Sequence, residues 1–244
     1  MSFLGSLALE EATSEDAASY RRWHAERLRR TAALTMRHLA VDGPVLDIGA
    51  GPLTRDLPGW FLGRELHVVD PRPEWATECA EAGIRFHTGS LMDSSLPVAD
   101  ASFSAVVAAE VFEHLPECPR DLVPRIASAL RPGGIFVMTT PNQARWLNRI
   151  RMLLGVNIQE IPENLYHKQW MGYGHLREYT LSEIGPEFGV GGLQLVEVGG
   201  WSPHPMPRAD FVRRAVDRWG PDSLQQILYA VLRKGPPPAG TTVG

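Results

Sequence analysis

The chain holds few cysteines. Among its 244 residues only Cys79 and Cys118 occur, and their spacing fits neither a metal knuckle nor a disulfide framework. A disulfide-stapled scaffold is therefore excluded, and two free thiols in a reducing cytoplasm are expected. Lysine is nearly missing too: of 24 basic residues only Lys168 and Lys234 are lysines. With a net charge of −4, the arginines make no broad footprint for nucleic acid. No apolar run approaches the roughly 20 residues needed to span a bilayer. The opening residues, Met-Ser-Phe-Leu-Gly-Ser-Leu-Ala-Leu-Glu-Glu, carry no basic leader and turn acidic at once, against a secretory signal. Internal repeats are absent.

What is present is a packable core. Hydrophobic residues make up 44%, enough for one large α/β domain or one domain with an inserted cap. Residues 45–53, Val-Leu-Asp-Ile-Gly-Ala-Gly-Pro-Leu, read as a buried strand ending in an acid, then a tight turn whose backbone must pass close to something. His-Val-Val-Asp-Pro at 67–71 closes a second apolar strand at Asp70, 19 positions after Gly51. That is near the roughly 20-residue spacing of nucleotide-binding βαβ units. A carboxylate at the tip of the second strand accepts both hydroxyls of a ribose. Together these features point to an adenosine-containing ligand.

Two further blocks follow in order: Ser-Phe-Ser-Ala-Val-Val-Ala-Ala-Glu-Val-Phe-Glu-His-Leu at 102–115 and Leu-Arg-Pro-Gly-Gly-Ile-Phe-Val at 130–137. With Val45–Gly51 and Val68–Pro71, they resemble the class I S-adenosylmethionine (SAM)-dependent methyltransferases, in the small-molecule branch of methyltransferase types 11 and 12. Leu53 stands where both this family and the dinucleotide oxidoreductases usually carry a glycine, and Ser104 stands where an Asp is common. The resemblance implies a Rossmann-like, seven-stranded, mostly parallel sheet with helices on both faces, an N-terminal helix and a cap insertion after the fifth strand.

The spacing of apolar residues predicts the parts. Residues 1–40 form an N-terminal helical segment, with Ala25, Leu28, Ala32, Thr35 or Met36, and Leu39 on one stripe. Arg21, Arg22, Arg29, Arg30 and Arg37 lie mostly off it and read as a solvated face. Strands are predicted at 44–48, 65–69, 84–87, 103–109 and 134–139, with helices near 54–60, 73–82, 110–115 and 120–130. Apolar strands alternating with helices mean a parallel sheet covered on both faces. A cap spans about 142–192 within a domain of 41–234. It contains a helix over 145–154, an aromatic loop, and a helix opening at Thr180 with Glu183 three positions on. Strands at 193–198 and 226–233, with helix 208–219 between them, end the domain as an edge hairpin. Residues 235–244 read as a flexible tail.

In sheets of this kind ligands sit beyond the carboxyl ends of the strands, where strand order switches. The resemblance then implies the cofactor SAM, with site residues at those ends. Gly49 and Gly51 let backbone approach the methionine part and ribose; Asp47 organises the turn; Asp70 takes the ribose hydroxyls. Ser90 stands at the position that meets the adenine amino group, and Leu91 offers a backbone N–H. Asp93 is either an alternative acceptor or a turn residue. The Ala109 carbonyl meets the SAM amino group.

Methyl transfer from a sulfonium depends mostly on holding the acceptor in line at ~3–3.5 Å. An alcohol acceptor needs a base, a phenol gains from one, and a neutral amine needs none. His175 and His167, in the aromatic insertion, are the candidate bases, whereas His114 belongs to a block shared regardless of acceptor. Glu110, Glu113 and His114 are potential Mg²⁺ ligands, but Glu113 and His114 are adjacent on a helix and expected to point apart, so no metal is expected. Trp146, Tyr166, Trp170, Tyr173 and Tyr179 suggest a ring-bearing small-molecule acceptor. The expected activity is SAM-dependent O-methylation in small-molecule biosynthesis, on a sugar, polyketide or phenol. A non-catalytic SAM-fold regulator is the alternative. A nucleic-acid methyltransferase is disfavoured, because Ala-Ala-Glu-Val replaces the Asn/Asp-Pro-Pro-aromatic loop after the fourth strand.

Overall fold

The computed structural model describes residue 21 and residues 24–159, 174–204, 206 and 209–236. His167 and the aromatic residues Tyr166, Trp170 and Tyr173 lie outside the described residues. Helix α1 (24–38) leads into β1 (Val45–Ile48). Then come α2 (Leu57–Trp60), β2 (Leu66–Asp70), α3 (Ala76–Glu81), β3 (Arg85–Thr88) and β4 (Phe103–Ala109). A 3₁₀ turn at Phe112–His114 precedes α4 (Pro119–Ala129) and the long β5 (Leu130–Pro141). The remainder is α5 (Trp146–Leu153), α6 (Leu181–Phe188), β6 (Leu193–Trp201), α7 (Asp210–Trp219) and β7 (Ile227–Lys234).

The seven strands run in the order β3-β2-β1-β4-β5-β7-β6. The first five are mutually parallel. Strand β7 is antiparallel to both β5 and β6, and lies between them. The expected hairpin is therefore present, with its second strand on the inside. β1, β4 and β5 from Gly134 onwards are almost wholly buried because helices cover both faces. On one face Phe112, Ile126, Phe136, Tyr179 and Phe188 pack in a single cluster. On the other, Ala32, Val45, Phe61, Val68 and Val137 pack under α1, α2 and α3.

Local signals hold at the ends of elements. Thr180 and Glu183 form a reciprocal capping box on α6. Strand β6 runs longer than the apolar alternation suggested, because Gly199 and Gly200 continue it to Trp201, whereas β7 keeps its expected length one residue further on. The predicted helix at 110–115 shrinks to one 3₁₀ turn. Glu110, at φ +59°, leaves β4 in the left-handed region, a conformation that costs a non-glycine residue about 1–3 kcal/mol. Among the described residues no helix is long and apolar enough to cross a membrane.

Phe112 is fully buried and meets Phe188 edge-to-face at 4.8 Å. Phe112→Ala should therefore cost about 3–5 kcal/mol of unfolding free energy, read by urea titration. A loss below about 1 kcal/mol would show that the site collapses around the cavity.

Candidate functional site

Order reverses between β1 and the central strand β4, so the loops beyond their carboxyl ends diverge and leave a crevice. A cavity of about 1730 Å³ fills it. Its wall includes every described residue singled out above as a site residue: Asp47, Gly49, Gly51, Asp70, Ser90, Leu91, Ala109 and His175.

The glycine turn is held from β2. Gly49 sits at φ +98°, and a Cβ there would stand 3.5 Å from Val111 Cγ2. Its N–H donates to the Val69 carbonyl at 2.9 Å, and the Ala50 N–H donates to Asp70 Oδ2 at 2.7 Å. The Gly51 N–H donates to Thr54 Oγ1 at 2.9 Å. Asp70 rather than Asp47 thus organises the turn, because its carboxylate lies within reach of the turn's N–H. Asp70 is 2% exposed. It also accepts from the Arg72 backbone at 2.8 Å, from Arg72 Nε at 2.9 Å and from Arg72 Nη2 at 3.0 Å. Arg72 Nη2 closes the ring by donating to the Ala50 carbonyl at 2.7 Å.

On the third strand's loop, the Ser90 N–H donates to Asp93 Oδ2 at 2.7 Å, and Ser90 Oγ accepts from the Met92 N–H at 3.0 Å. Asp93 therefore serves the turn. Leu91 is 2% exposed. Across the crevice lies an acidic floor. Burial pushes the Asp47 carboxyl up to about 8, with Arg27 pulling down and Asp70 adding to the rise. Burial likewise raises Glu110, and raises Glu113 well above its usual value with Glu110 adding to the effect. The counter-charge is Arg27 on α1, which is 2% exposed. Its Nη1 stands 3.8 Å from Glu110 Oε1, and its Nε and Nη1 have no hydrogen-bond partner among the described residues.

The remaining wall is built by residues 174–179 folding back on the 3₁₀ turn. The Leu176 and Arg177 N–H groups donate to the Glu113 carbonyl at 2.7 and 3.2 Å. The Gln143 N–H donates to the Tyr179 carbonyl at 2.9 Å. Tyr179, 1% exposed, packs on Phe188, so it belongs to the core and not to an acceptor pocket. His114 Nδ1 lies 3.1 Å from the Gly174 carbonyl, and His175 Nδ1 lies 3.1 Å from Glu178 Oε1. Arg145 Nη1 donates to Glu178 Oε2 at 2.9 Å. Although burial pushes the Glu178 carboxyl up, the His175 and Arg145 hydrogen bonds hold it below its usual value. Burial lowers His114, against the pull of the Gly174 carbonyl. Glu113 and His114 do not point apart as helix spacing suggested: in the 3₁₀ turn His114 Nε2 comes 3.9 Å from Glu113 Oε1.

Residues 46–138 match the family model of a methyltransferase domain. The chain carries a class I SAM-dependent methyltransferase domain. No curated protein matches it in sequence. Similar solved structures include a Haloferax volcanii protein in complex with the methyltransferase activator Trm112 (18% identity, TM-score 0.59, 92% of this chain and 96% of that one). A second is the Burkholderia thailandensis 1,6-didemethyltoxoflavin-N1-methyltransferase with 1,6-didemethyltoxoflavin and S-adenosylhomocysteine bound (18%, 0.58, 94% and 86%). A third is the N-methyltransferase NodS of Bradyrhizobium japonicum WM9 (18%, 0.54, 87% and 97%).

SAM is the cofactor of such a domain, and this methyltransferase's crevice fits it. The buried Asp70 carboxylate stands at the tip of β2, and the Gly49 turn lines the cavity with no side chain of its own. Arg27 lines the same cavity with a buried guanidinium whose Nε and Nη1 have no hydrogen-bond partner among the described residues, the kind of donor that a carboxylate accepts from. Arg27, Arg72 and Glu178 escaped the sequence reading. Arg27 breaks the apolar stripe of α1, yet it heads a row with Thr31 and Thr35 at four-residue spacing, and all three are buried. That polar row was the available signal.

Removing Asp70 deletes a buried, charge-assisted acceptor worth roughly 1.5–3 kcal/mol. Asp70→Ala should weaken SAM binding about tenfold to a hundredfold by calorimetry, and unchanged affinity in a folded variant would remove Asp70 from the site. The acidic floor predicts a pH effect. Folded Asp47 keeps a proton that an unfolded carboxylate releases near pH ~4, so stability falls as pH rises from there towards 8. In Asp47→Asn the melting temperature should decline less between pH 5 and 8. An identical slope would show that Asp47 titrates normally.

Proposed function

We propose that this methyltransferase transfers its methyl group to a hydroxyl oxygen of a small, ring-bearing molecule. The observation that carries the reading is the pair of imidazoles on the crevice wall. Each has Nδ1 engaged with an acceptor, which fixes the tautomer with the proton on Nδ1 and leaves the Nε2 lone pair available. A carboxylate behind His175, itself anchored by Arg145, fixes the orientation of the ring. Bound SAM supplies an electrophilic methyl on a sulfonium. An amine would attack it with a lone pair it already carries, whereas a hydroxyl must give up its proton. A wall of oriented imidazole nitrogens serves the second case. His175, the more exposed of the two, acts on the acceptor hydroxyl through Nε2.

The rest of the wall suits a planar acceptor. Trp146 lines the cavity, and its buried indole N–H has no partner among the described residues. It offers a flat face and a donor. The second reading is transfer to nitrogen, favoured by the two N-methyltransferases among the similar structures.

His175→Ala should lower turnover of a hydroxyl acceptor by about 10²–10⁴, with SAM affinity unchanged because the cofactor contacts lie on the strand ends. The acid limb of the rate–pH profile should disappear with it. A variant that keeps full turnover and an intact acid limb would move the assignment to a nitrogen acceptor.

A further inference from the structure

We propose that Glu113, His114 and His175 form a binding site for a single first-row divalent cation, in the series from manganese to zinc, on the wall of the crevice. One ligand-type atom from each residue lies within 4.8 Å of the others. Around a cation with bonds of about 2.1 Å, neighbouring ligand atoms stand about 3–3.4 Å apart, so roughly an ångström of side-chain rotation closes the set. Two imidazole nitrogens and one carboxylate oxygen suit such a cation better than Mg²⁺ or Ca²⁺, which take oxygen ligands.

Three features distinguish the cluster from a chance grouping. First, Glu113 is 0% exposed, and its Oε1 has no hydrogen-bond partner among the described residues. Oε1 instead faces His114 Nε2 at 3.9 Å, while Oε2 accepts from Thr140 Oγ1 at 3.3 Å. A buried carboxylate oxygen without a partner is costly unless a cation or donor answers it. Arg27 does not fill that role, because it lies against Glu110. Second, both histidines have Nδ1 held, one by the Gly174 carbonyl and the other by the Glu178 carboxylate. Ligating histidines in metal sites are characteristically held through their other nitrogen in this way, leaving Nε2 for the metal. Third, the backbone closes the site: the Glu113 carbonyl accepts the N–H groups of both Leu176 and Arg177, which brings His175 beside its partners.

The role of the cation rests on the hydroxyl reading above, with the cation in place of His175 as the group that activates the hydroxyl, since an Nε2 that ligates a cation cannot accept a proton; its binding does not rest on that reading. An acceptor hydroxyl coordinated to the cation loses its proton to water and keeps the electron pair. That pair forms the O–CH₃ bond as the C–S bond breaks, its electrons staying on sulfur to give the neutral thioether.

Binding is tested without acceptor or SAM, by titrating the chelator-treated full chain with Mn²⁺ and following the free-ion resonance by electron paramagnetic resonance. One equivalent should bind. Glu113→Gln and His175→Ala should each weaken binding by at least about a hundredfold, and Glu178→Gln by about tenfold through the His175 orientation. Circular dichroism checks that each variant is folded. Should Glu113→Gln fail to fold, the partly exposed His175 and Glu178 variants carry the test. Absence of stoichiometric binding, or equal binding by wild type and a folded His175→Ala, overturns the site. A protein that binds Mn²⁺ with these losses but methylates only nitrogen keeps the site and refutes the hydroxyl reading.

Discussion

A single buried guanidinium holds the crevice together. Arg27 enters from α1, outside the strand–helix alternation of the core, and reaches a floor of three carboxyl groups on β1 and beyond β4. Moving an arginine out of water costs several kcal/mol unless opposite charge surrounds it. Here the partner at hand is the Glu110 carboxyl, 3.8 Å away, and Arg27 pulls Asp47, Glu110 and Glu113 towards their ionised forms against the rise that burial imposes on each. The dependence runs both ways. Without Arg27 those acids would face one another with no counter-charge, and without the acids α1 would bury a charge for nothing. The packing of the first helix and the electrostatics of the ligand site are thus one problem with one solution.

That coupling explains what could be read from the sequence. The apolar strands announced themselves through runs such as Ser-Ala-Val-Val-Ala-Ala, and the strand-end acids and glycines marked the crevice. Short-range signals of this kind are written in adjacent residues, and strand periodicity, the capping box at Thr180 and the spacing of Asp70 from Gly51 were all visible. What stayed hidden was long-range pairing. The Arg72 side chain folding back on Asp70 and Ala50 depends on a turn conformation. Arg27 meeting Glu110 depends on how α1 docks. The approach of His114 to Glu113 depends on a 3₁₀ turn where helical spacing had suggested an α-helix, and therefore on the left-handed exit at Glu110. The aromatic residues show the same limit: composition grouped Tyr179 with Trp146, yet the fold sends one into the core and the other to the cavity wall.

The wall opposite the glycine turn has its own economy of parts. Asn142, at the end of β5, donates its side-chain amide to the Ser223 and Gln225 carbonyls at 3.1 and 2.8 Å and accepts from the Ala144 N–H at 2.9 Å. It thereby fixes the point where the chain leaves the sheet. Gln143 then pairs with Tyr179, Arg145 with Glu178, and Glu178 with His175. Four consecutive links carry the rigidity of the sheet out to one imidazole, so the orientation of His175 is set by the sheet and not by the loop that bears it. A histidine held in this way acts with the precision that proton handling or metal ligation demands.

The strand order has a consequence for how the chain comes to be folded. Strand β6 has only β7 as a neighbour, and β7 is the partner that joins it to β5. During synthesis β6 is made first and must wait, unpaired, until the last strand emerges and slides between it and the parallel sheet. Over that interval the β5 edge is open as well, with Ile135 to Pro141 presenting a row of unsatisfied backbone groups. Both edges close in one event, the arrival of β7. The nascent chain therefore carries an open β5 edge from Pro141 onwards and an unpaired β6 from Trp201 onwards until β7 emerges, and it is in that interval that this protein is most exposed to aggregation.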